Sequence, residues 1–96
     1  MDADLKRDLC KRYGYSVEYL HYWLAHPTCE ACGKQESALP HHIRTRASGG
    51  KDTNINLLAL CFVCHGAWHA EGWSRFAEKN GYLNEKIEKA REERKW

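Results

Sequence analysis

The stretch Cys29-Glu30-Ala31-Cys32 is matched further along the chain by Cys61-Phe62-Val63-Cys64. A Cys-x-x-Cys turn presents two sulfurs from one tight loop, and Zn²⁺ prefers four such ligands in a tetrahedron. Two turns brought together by an intervening β-segment would therefore form a closed four-cysteine zinc site. We expect this zinc to be structural, since no position is left for water. Its binding energy, on the order of 10 kcal/mol, would act as folding energy.

Two other uses of these cysteines remain open. The pairs could instead form two disulfides or redox-active pairs, or His65 could replace Cys64 among the zinc ligands. The first residues, 1–8, mix both charges and lack the apolar stretch of a secretory signal. We therefore expect a cytoplasmic protein, where disulfides are rare and zinc is favoured. Cys10 has no partner in the motif and is expected to be a buried, small apolar side chain.

The composition is typical of one small globular domain. The chain has 96 residues, 43% of them apolar. Its 15 basic and 13 acidic residues give a formal charge of +2, which excludes a strongly cationic DNA coat and an acidic solvating tail. The longest apolar run, residues 57–64, is far shorter than the roughly 20 residues of a membrane span, so no membrane partner is expected.

Hydrophobic periodicity, helix caps and helix breakers predict an α+β fold. The expected elements are two helices, two strands around a Gly-rich loop, and three more helices, at residues 3–12, 17–25, 39–44, 55–60, 65–71, 73–79 and 85–96. We expect one domain, 1–96, with a helical N-terminal segment 1–27, a core 28–72 and C-terminal helices 73–96. The aromatic side chains of residues 13–23 are expected to serve packing rather than function.

Four of the six histidines lie between and after the cysteine pairs. His65 and His69, four residues apart on a predicted helix, share one face and could reach one cation. His41 and His42 are neighbours on a predicted strand, so their side chains should point to opposite faces. One of them could then bind a divalent metal, while the other accepts a proton from water near neutral pH.

This pattern resembles the HNH endonuclease family, and more narrowly its zinc-stapled bacterial and phage members. The resemblance rests on five segments in order: Cys29-x-x-Cys32, Pro40-His41-His42-Ile43, Gly49-Gly50, Asn56-Leu57-x-x-Leu60-Cys61-x-x-Cys64 and His65-x-x-x-His69. It covers about residues 29–72 and implies a ββα-metal fold, in which a two-stranded ribbon with a long loop is followed by a helix.

The resemblance also implies a role for each matched position. His41 corresponds to a ligand of the catalytic metal, and His42 to the general base that activates the attacking water. Asn56 corresponds to the asparagine that bridges backbone groups across the loop. His65 corresponds to the metal ligand on the helix, and His69 to an additional histidine that binds the metal or contacts phosphate. Each of these could instead be an ordinary strand, turn or surface residue.

The activity implied by this resemblance is metal-dependent hydrolysis of DNA phosphodiesters. The expected catalytic ion is Mg²⁺ or Mn²⁺, and imidazole-rich sites also accept Ni²⁺, Co²⁺ or Zn²⁺. One metal centre per chain predicts that a single copy nicks one strand, and that cleavage of both strands needs a dimer or two visits, so the expected state is a monomer or homodimer. The modest charge predicts low intrinsic sequence specificity. Arg44, Arg46 and Lys51 flank the proposed metal and could hold the DNA backbone.

Two alternative functions remain open from the sequence. A non-catalytic zinc-knuckle module that binds nucleic acid or protein would need the cysteines, but not His42, Asn56 and His65 together. A phage packaging accessory would share the nuclease chemistry but would act beside a terminase.

Overall fold

A computed structural model describes residues 2–92 of the chain. It contains five α-helices and two short strands in those residues: α1 (Ala3–Tyr13), α2 (Val17–Ala25), β1 (His41–His42), β2 (Leu57–Leu58), α3 (Phe62–Glu71), α4 (Trp73–Lys79) and α5 (Asn84–Glu92). The predicted α+β class and the β-β-α order of the core are confirmed. The predicted last helix reached residue 96, and its residues 93–96 lie outside the described residues.

The two strands form an antiparallel pair at the centre of the fold, with His41 opposite Leu58 and His42 opposite Leu57. Side chains alternate between the two faces of a strand. Leu57 and Ala59 pack into a cluster with α1 and α2, whereas Leu58 and Leu60 pack into a second cluster with α3, α4 and α5. The ribbon therefore separates an N-terminal helical layer from a C-terminal one.

Local sequence signals position the N-terminal layer. Asp2 and Ser16 accept hydrogen bonds from backbone N–H groups in the first turns of α1 and α2. Gly14 ends α1 in the left-handed conformation that glycine adopts without strain, which lets the chain reverse into α2. Cys10 is buried in the N-terminal cluster, as expected. These features bring α2 across the ribbon beside His42.

The strands are shorter than predicted: residues 39–44 and 55–60 contribute only two strand residues each. At one end, the Asn56 side chain replaces the backbone ladder, because its amide pairs with both the N–H and the C=O of Arg44. At the other end, the backbone of Ala59 pairs with Glu30 instead of with β1. The segments remain extended and buried, but their hydrogen bonds go to other partners.

Helix α3 begins at Phe62, three residues before the predicted start at His65. Cys61 is its N-cap, with Sγ accepting a hydrogen bond from the Cys64 N–H at 3.4 Å. The second Cys-x-x-Cys turn and the first helical turn are thus the same piece of backbone. The predicted Gly-rich loop between the strands likewise starts with a short 3₁₀ turn at Arg46–Ser48.

Within residues 2–92, every helix is too short or too polar to cross a bilayer.

Candidate active site

The four cysteines of the two Cys-x-x-Cys turns converge into one group, called here the cysteine cluster: Cys29, Cys32, Cys61 and Cys64. Their sulfurs all lie within 4.8 Å of one another, and the sulfurs of Cys32 and Cys61 are 3.9 Å apart. Zinc–sulfur bonds of about 2.3 Å arranged as a tetrahedron would place sulfurs about 3.8 Å apart. The donor set and its spacing therefore fit a zinc ion.

The alternatives left open for these cysteines are disfavoured by the geometry. All five cysteines lie within residues 2–92 and are free thiols, and 3.9 Å is nearly twice the roughly 2.05 Å of a disulfide bond. Cys64, not His65, completes the group of four. Backbone N–H groups at Lys34 and Gln35 lower the pKa of Cys32 to about 6, which favours the thiolate that binds metal.

Three histidines form a second group, called here the histidine cluster: His41, His65 and His69. One nitrogen of each lies within 4.8 Å of the others, and the Nε2 atoms of His65 and His69 are 3.1 Å apart. Metal–nitrogen bonds of about 2.1 Å would place two nitrogens about 3.0 to 3.4 Å apart. His65 and His69 come from successive turns of α3, and His41 comes from the face of β1 that packs against that helix.

His41 is the buried member of the histidine cluster, and its ring packs against Trp68 at 4.5 Å. Burial, together with the nearby His65 and His69, lowers the pKa of His41 to about 3. The imidazole is therefore neutral at pH 7. Its Nε2 is buried without a hydrogen-bond partner among the described residues. A buried polar atom in this state is costly unless it binds something, and a cation shared with His65 and His69 fits that need.

His42 points to the other face of the ribbon, toward the N-terminal layer. Its Nε2 lies 2.7 Å from Oδ1 of Asp52. Its ring is stacked with Tyr19 and tilted against Tyr15, with ring centres 5.5 and 5.8 Å away. Tyr19 is itself fixed by donating its hydroxyl proton to the Pro40 carbonyl at 2.7 Å. The ring of His42 is therefore held by one hydrogen bond and two aromatic neighbours.

Asn56 is 1% exposed and lies at the end of β2 nearest the loop. Its Oδ1 accepts from the Arg44 N–H at 2.8 Å, and its Nδ2 donates to the carbonyls of Arg44 and Lys51 at 3.0 and 2.9 Å. Gly50 approaches the same point so closely that a Cβ there would lie 1.8 Å from the Arg44 carbonyl oxygen. One buried amide thus joins both arms of the loop behind His42.

A cavity of about 370 Å³ opens over the histidine cluster and over His42. Its lining combines two tyrosine rings, the ribbon and the face of α3 that carries the two histidines: Tyr15, Tyr19, Leu39, Pro40, His41, His42, Thr45, Arg46, His65 and His69. Arg46 is exposed at this cavity, with its guanidinium 5.3 Å from the Tyr15 ring centre. Lys51 is exposed on the same loop. The Arg44 side chain is instead buried and donates to the Ser48 carbonyl.

Sequence reasoning missed three residues beside His42. The sequence pattern assigns no role to Asp52, and it predicts only packing for Tyr15 and Tyr19. Tyr19 is indeed fully buried in the N-terminal cluster, but both rings also line the cavity. The sequence carries only a weak signal for the contact with Asp52. An acidic residue in the loop after a strand histidine could pair with that histidine, but which residue it contacts depends on how the loop folds.

Comparison with known proteins gives a match for the central part of the chain. No curated protein and no solved structure matches the chain. Residues 29–71 match the family model described as HNH endonuclease. This segment includes the cysteine cluster, the histidine cluster, His42 and Asn56. The assignment to a bacterial or phage type stays a prediction. With its two clusters and its β-β-α order, the segment from Cys29 to Glu71 is similar to the HNH endonuclease family.

Proposed function

We propose that the protein is a metal-dependent DNA endonuclease that hydrolyses phosphodiester bonds and nicks one strand per active site. The observation that carries the proposal is the buried, unpartnered Nε2 of His41 beside the nitrogens of His65 and His69. His42 follows His41 directly in the chain and lines the same cavity. A cation site and a proton acceptor therefore face one space that is open to a phosphodiester.

His41, His65 and His69 would hold the catalytic ion. Three imidazoles fit a divalent cation and leave coordination positions for other ligands. When bound, Mg²⁺ or Mn²⁺, or in their place Ni²⁺, Co²⁺ or Zn²⁺, would withdraw charge from a phosphate oxygen and stabilise the departing oxygen. The neutrality of buried His41 at pH 7 keeps its lone pair available for this role.

In the proposed reaction, His42 accepts a proton from water as the water oxygen attacks phosphorus. The bond from phosphorus to the 3′ oxygen then breaks, and the departing oxygen takes a proton from solvent water, giving 5′-phosphate and 3′-hydroxyl ends. A positioned proton acceptor typically contributes about 10²–10⁴-fold to a rate. The role of Asn56 is to hold the loop behind His42, through its three hydrogen bonds to Arg44 and Lys51.

We further propose that the cysteine cluster holds a structural Zn²⁺. Four thiolates fill a tetrahedral site, so no position remains for water or substrate. Cys29 and Cys61 are buried within the C-terminal core cluster, beside Leu58 and Leu60. Zinc there would link the loop at Cys29 to the start of α3, and α3 carries His65 and His69.

The proposed partner is the DNA backbone, contacted by Arg46 at the cavity and by Lys51 on the exposed surface of the same loop. Arg44 is left out of this proposal because its guanidinium is committed to the Ser48 carbonyl inside the loop. A formal charge of +2 supports brief contacts with a few phosphates and low intrinsic sequence specificity. We propose that the protein works in the cytoplasm, as a monomer or homodimer.

The test is a nicking assay on supercoiled plasmid with Mg²⁺ or Mn²⁺, in the presence and absence of EDTA. We expect nicked circles that EDTA abolishes, and a loss of at least about 10²-fold in rate for His42→Ala. The matched control is His21→Ala, which removes an exposed histidine outside the cavity. This variant should nick at the wild-type rate.

Two outcomes would point to the alternative functions. A wild-type protein that shifts DNA on a gel but never nicks it, with any of the five ions, would favour the non-catalytic zinc-knuckle module. A protein that nicks only after a terminase is added would favour the packaging accessory. Equal rates for His42→Ala and wild type would contradict the role given to His42.

A further inference from the structure

We propose that Asp52 is a positioning residue for His42, and that the N-terminus of α2 holds Asp52 in place for this purpose. The inference rests on the proposed function and adds to it. It assigns a role in the reaction to residues of the N-terminal segment, which lies outside the family match at 29–71.

The first step is the contact between the two side chains. Nε2 of His42 and Oδ1 of Asp52 are 2.7 Å apart, and their side chains are only 11% and 16% exposed. Burial raises the pKa of Asp52, but the hydrogen bonds from His42 and from the Ser16 N–H outweigh it and the net shift is downward. Asp52 is therefore a carboxylate at neutral pH, and a carboxylate only accepts hydrogen bonds.

The second step concerns the proton on the imidazole. A neutral imidazole carries one N–H and one lone pair, and the hydrogen-bond partner of one nitrogen determines the state of the other. Because Asp52 can only accept, Nε2 of His42 must carry the proton. Nδ1 then keeps its lone pair, which is what a residue that accepts a proton from water requires.

The third step is what fixes the carboxylate. Oδ2 of Asp52 accepts a hydrogen bond from the backbone N–H of Ser16, the N-cap of α2, at 3.1 Å. From the next turn of α2, the Tyr19 ring stacks near His42 at 5.5 Å, with an interplanar angle of 22°. Helix α2 therefore fixes the ring of His42 twice, through Asp52 and through direct stacking.

The experiment compares Asp52→Asn and Asp52→Ala with wild type in steady-state nicking. The asparagine side chain has one acceptor oxygen, whereas Asp52 accepts from two donors, Ser16 N–H and His42. Its amide N–H₂ group would therefore face one of these donors. With N–H₂ facing Nε2 of His42, the imidazole proton would move to Nδ1, and Nδ1 could no longer accept a proton. We expect kcat to fall about 10–10²-fold in both variants, with KM changed less than twofold.

Glu18→Ala is the matched control. Its Oε2 accepts a hydrogen bond from the Asn54 N–H at 3.0 Å, so Glu18 also ties α2 to the loop, without contacting His42. If Asp52 served only to anchor the loop, the Glu18 and Asp52 variants should lose activity alike. We expect Glu18→Ala to keep wild-type kcat, and all three variants to keep bound zinc and a cooperative melting transition.

A second readout, nitrogen-15 NMR of the histidine rings in the metal-free site, is independent of activity. Wild-type His42 should carry its proton on Nε2, and Asp52→Asn should shift it wholly or partly to Nδ1. Unchanged kcat in both Asp52 variants, or an unchanged tautomer in Asp52→Asn, would overturn the inference. A wild-type protein that nicks no DNA would contradict the proposed function, and the tautomer would then decide alone whether Asp52 orients His42.

Discussion

The cysteine cluster and the histidine cluster both draw residues from the region of α3, yet they have opposite properties. Cys61 and Cys64 bracket the first turn of α3, and His65 and His69 follow on the next turns. In the cysteine cluster, Cys29 and Cys61 are 2% and 3% exposed and belong to the core. In the histidine cluster, only His41 is buried, and all three rings line an open cavity.

This difference indicates how ligand number and burial would separate the proposed structural site from the proposed reactive one. Four thiolates complete a tetrahedron and leave no free position, so the metal can only hold chain segments together. Three imidazoles at the wall of a cavity would leave positions on a bound cation for water and phosphate. Helix α3 links the cysteine cluster to the histidine cluster, because His65 follows Cys64 directly. Any shift of Cys61 and Cys64 would therefore also move His65.

The largest expected effect is the loss of the cysteine cluster. Cys29→Ser should unfold or aggregate the protein, because a zinc contribution on the order of 10 kcal/mol is comparable to the whole stability of a small domain. Circular dichroism and zinc content measure this. Cys10→Ala is the control, since it removes a buried thiol outside the cluster. It should keep one zinc per chain and lose only about 1–2 kcal/mol.

A soluble Cys29→Ser protein with the wild-type melting temperature would contradict the structural role of the cysteine cluster. It would also remove the distinction between the two clusters on which the proposed function depends.

The second prediction concerns the histidine cluster, where we expect a loss of activity without a loss of stability. His65→Ala should lower the nicking rate at least about 10²-fold, equivalent to about 3 kcal/mol, because it removes one of three ligands of the catalytic ion. The melting temperature should change by less than about 3 °C, since His65 is only half-buried. Calorimetric titration with Mn²⁺ should show weaker binding, with zinc content unchanged. A loss of zinc in this variant would show that the two clusters are not separate.

A comparable effect, on stability rather than directly on the reaction rate, is expected at Gly50, between the two arms of the loop. A Cβ there would lie 1.8 Å from the Arg44 carbonyl oxygen and 2.9 Å from Nδ2 of Asn56, so Gly50→Ala should cost about 2–4 kcal/mol. Zinc should remain bound, while nicking declines as the loop behind His42 moves. Gly66→Ala is the control, because no atom lies within 4 Å of its added Cβ and a helical alanine is favourable. Equal melting temperatures for the two variants would contradict the close approach at Gly50.

The sequence predicted the parts of the site that depend on local spacing. Cys-x-x-Cys turns and the i, i+4 pair His65 and His69 are set by a few residues of backbone, so their grouping is visible in the chain. The contact between His42 and Asp52 could not be predicted in the same way, because it forms only when the loop folds back against α2. The predicted strands are longer than the observed ones for a related reason. The side-chain amide of Asn56 makes the hydrogen bonds to the Arg44 backbone that a longer strand pair would make through backbone groups.

The smallest expected effect lies at the edge of the cavity, where Arg46 is exposed beside Tyr15. Arg46→Ala should leave the melting temperature and kcat unchanged and raise KM about 3–5-fold, because the loss of one phosphate contact weakens binding alone. The slope of log KM against log salt concentration should fall by about 0.9, the value for one contact on B-DNA. Arg75→Ala, on the exposed surface of α4 away from the cavity, should change neither. An unchanged salt slope for Arg46→Ala would place the DNA on another side of the histidine cluster and leave α3, rather than the loop, as its main contact.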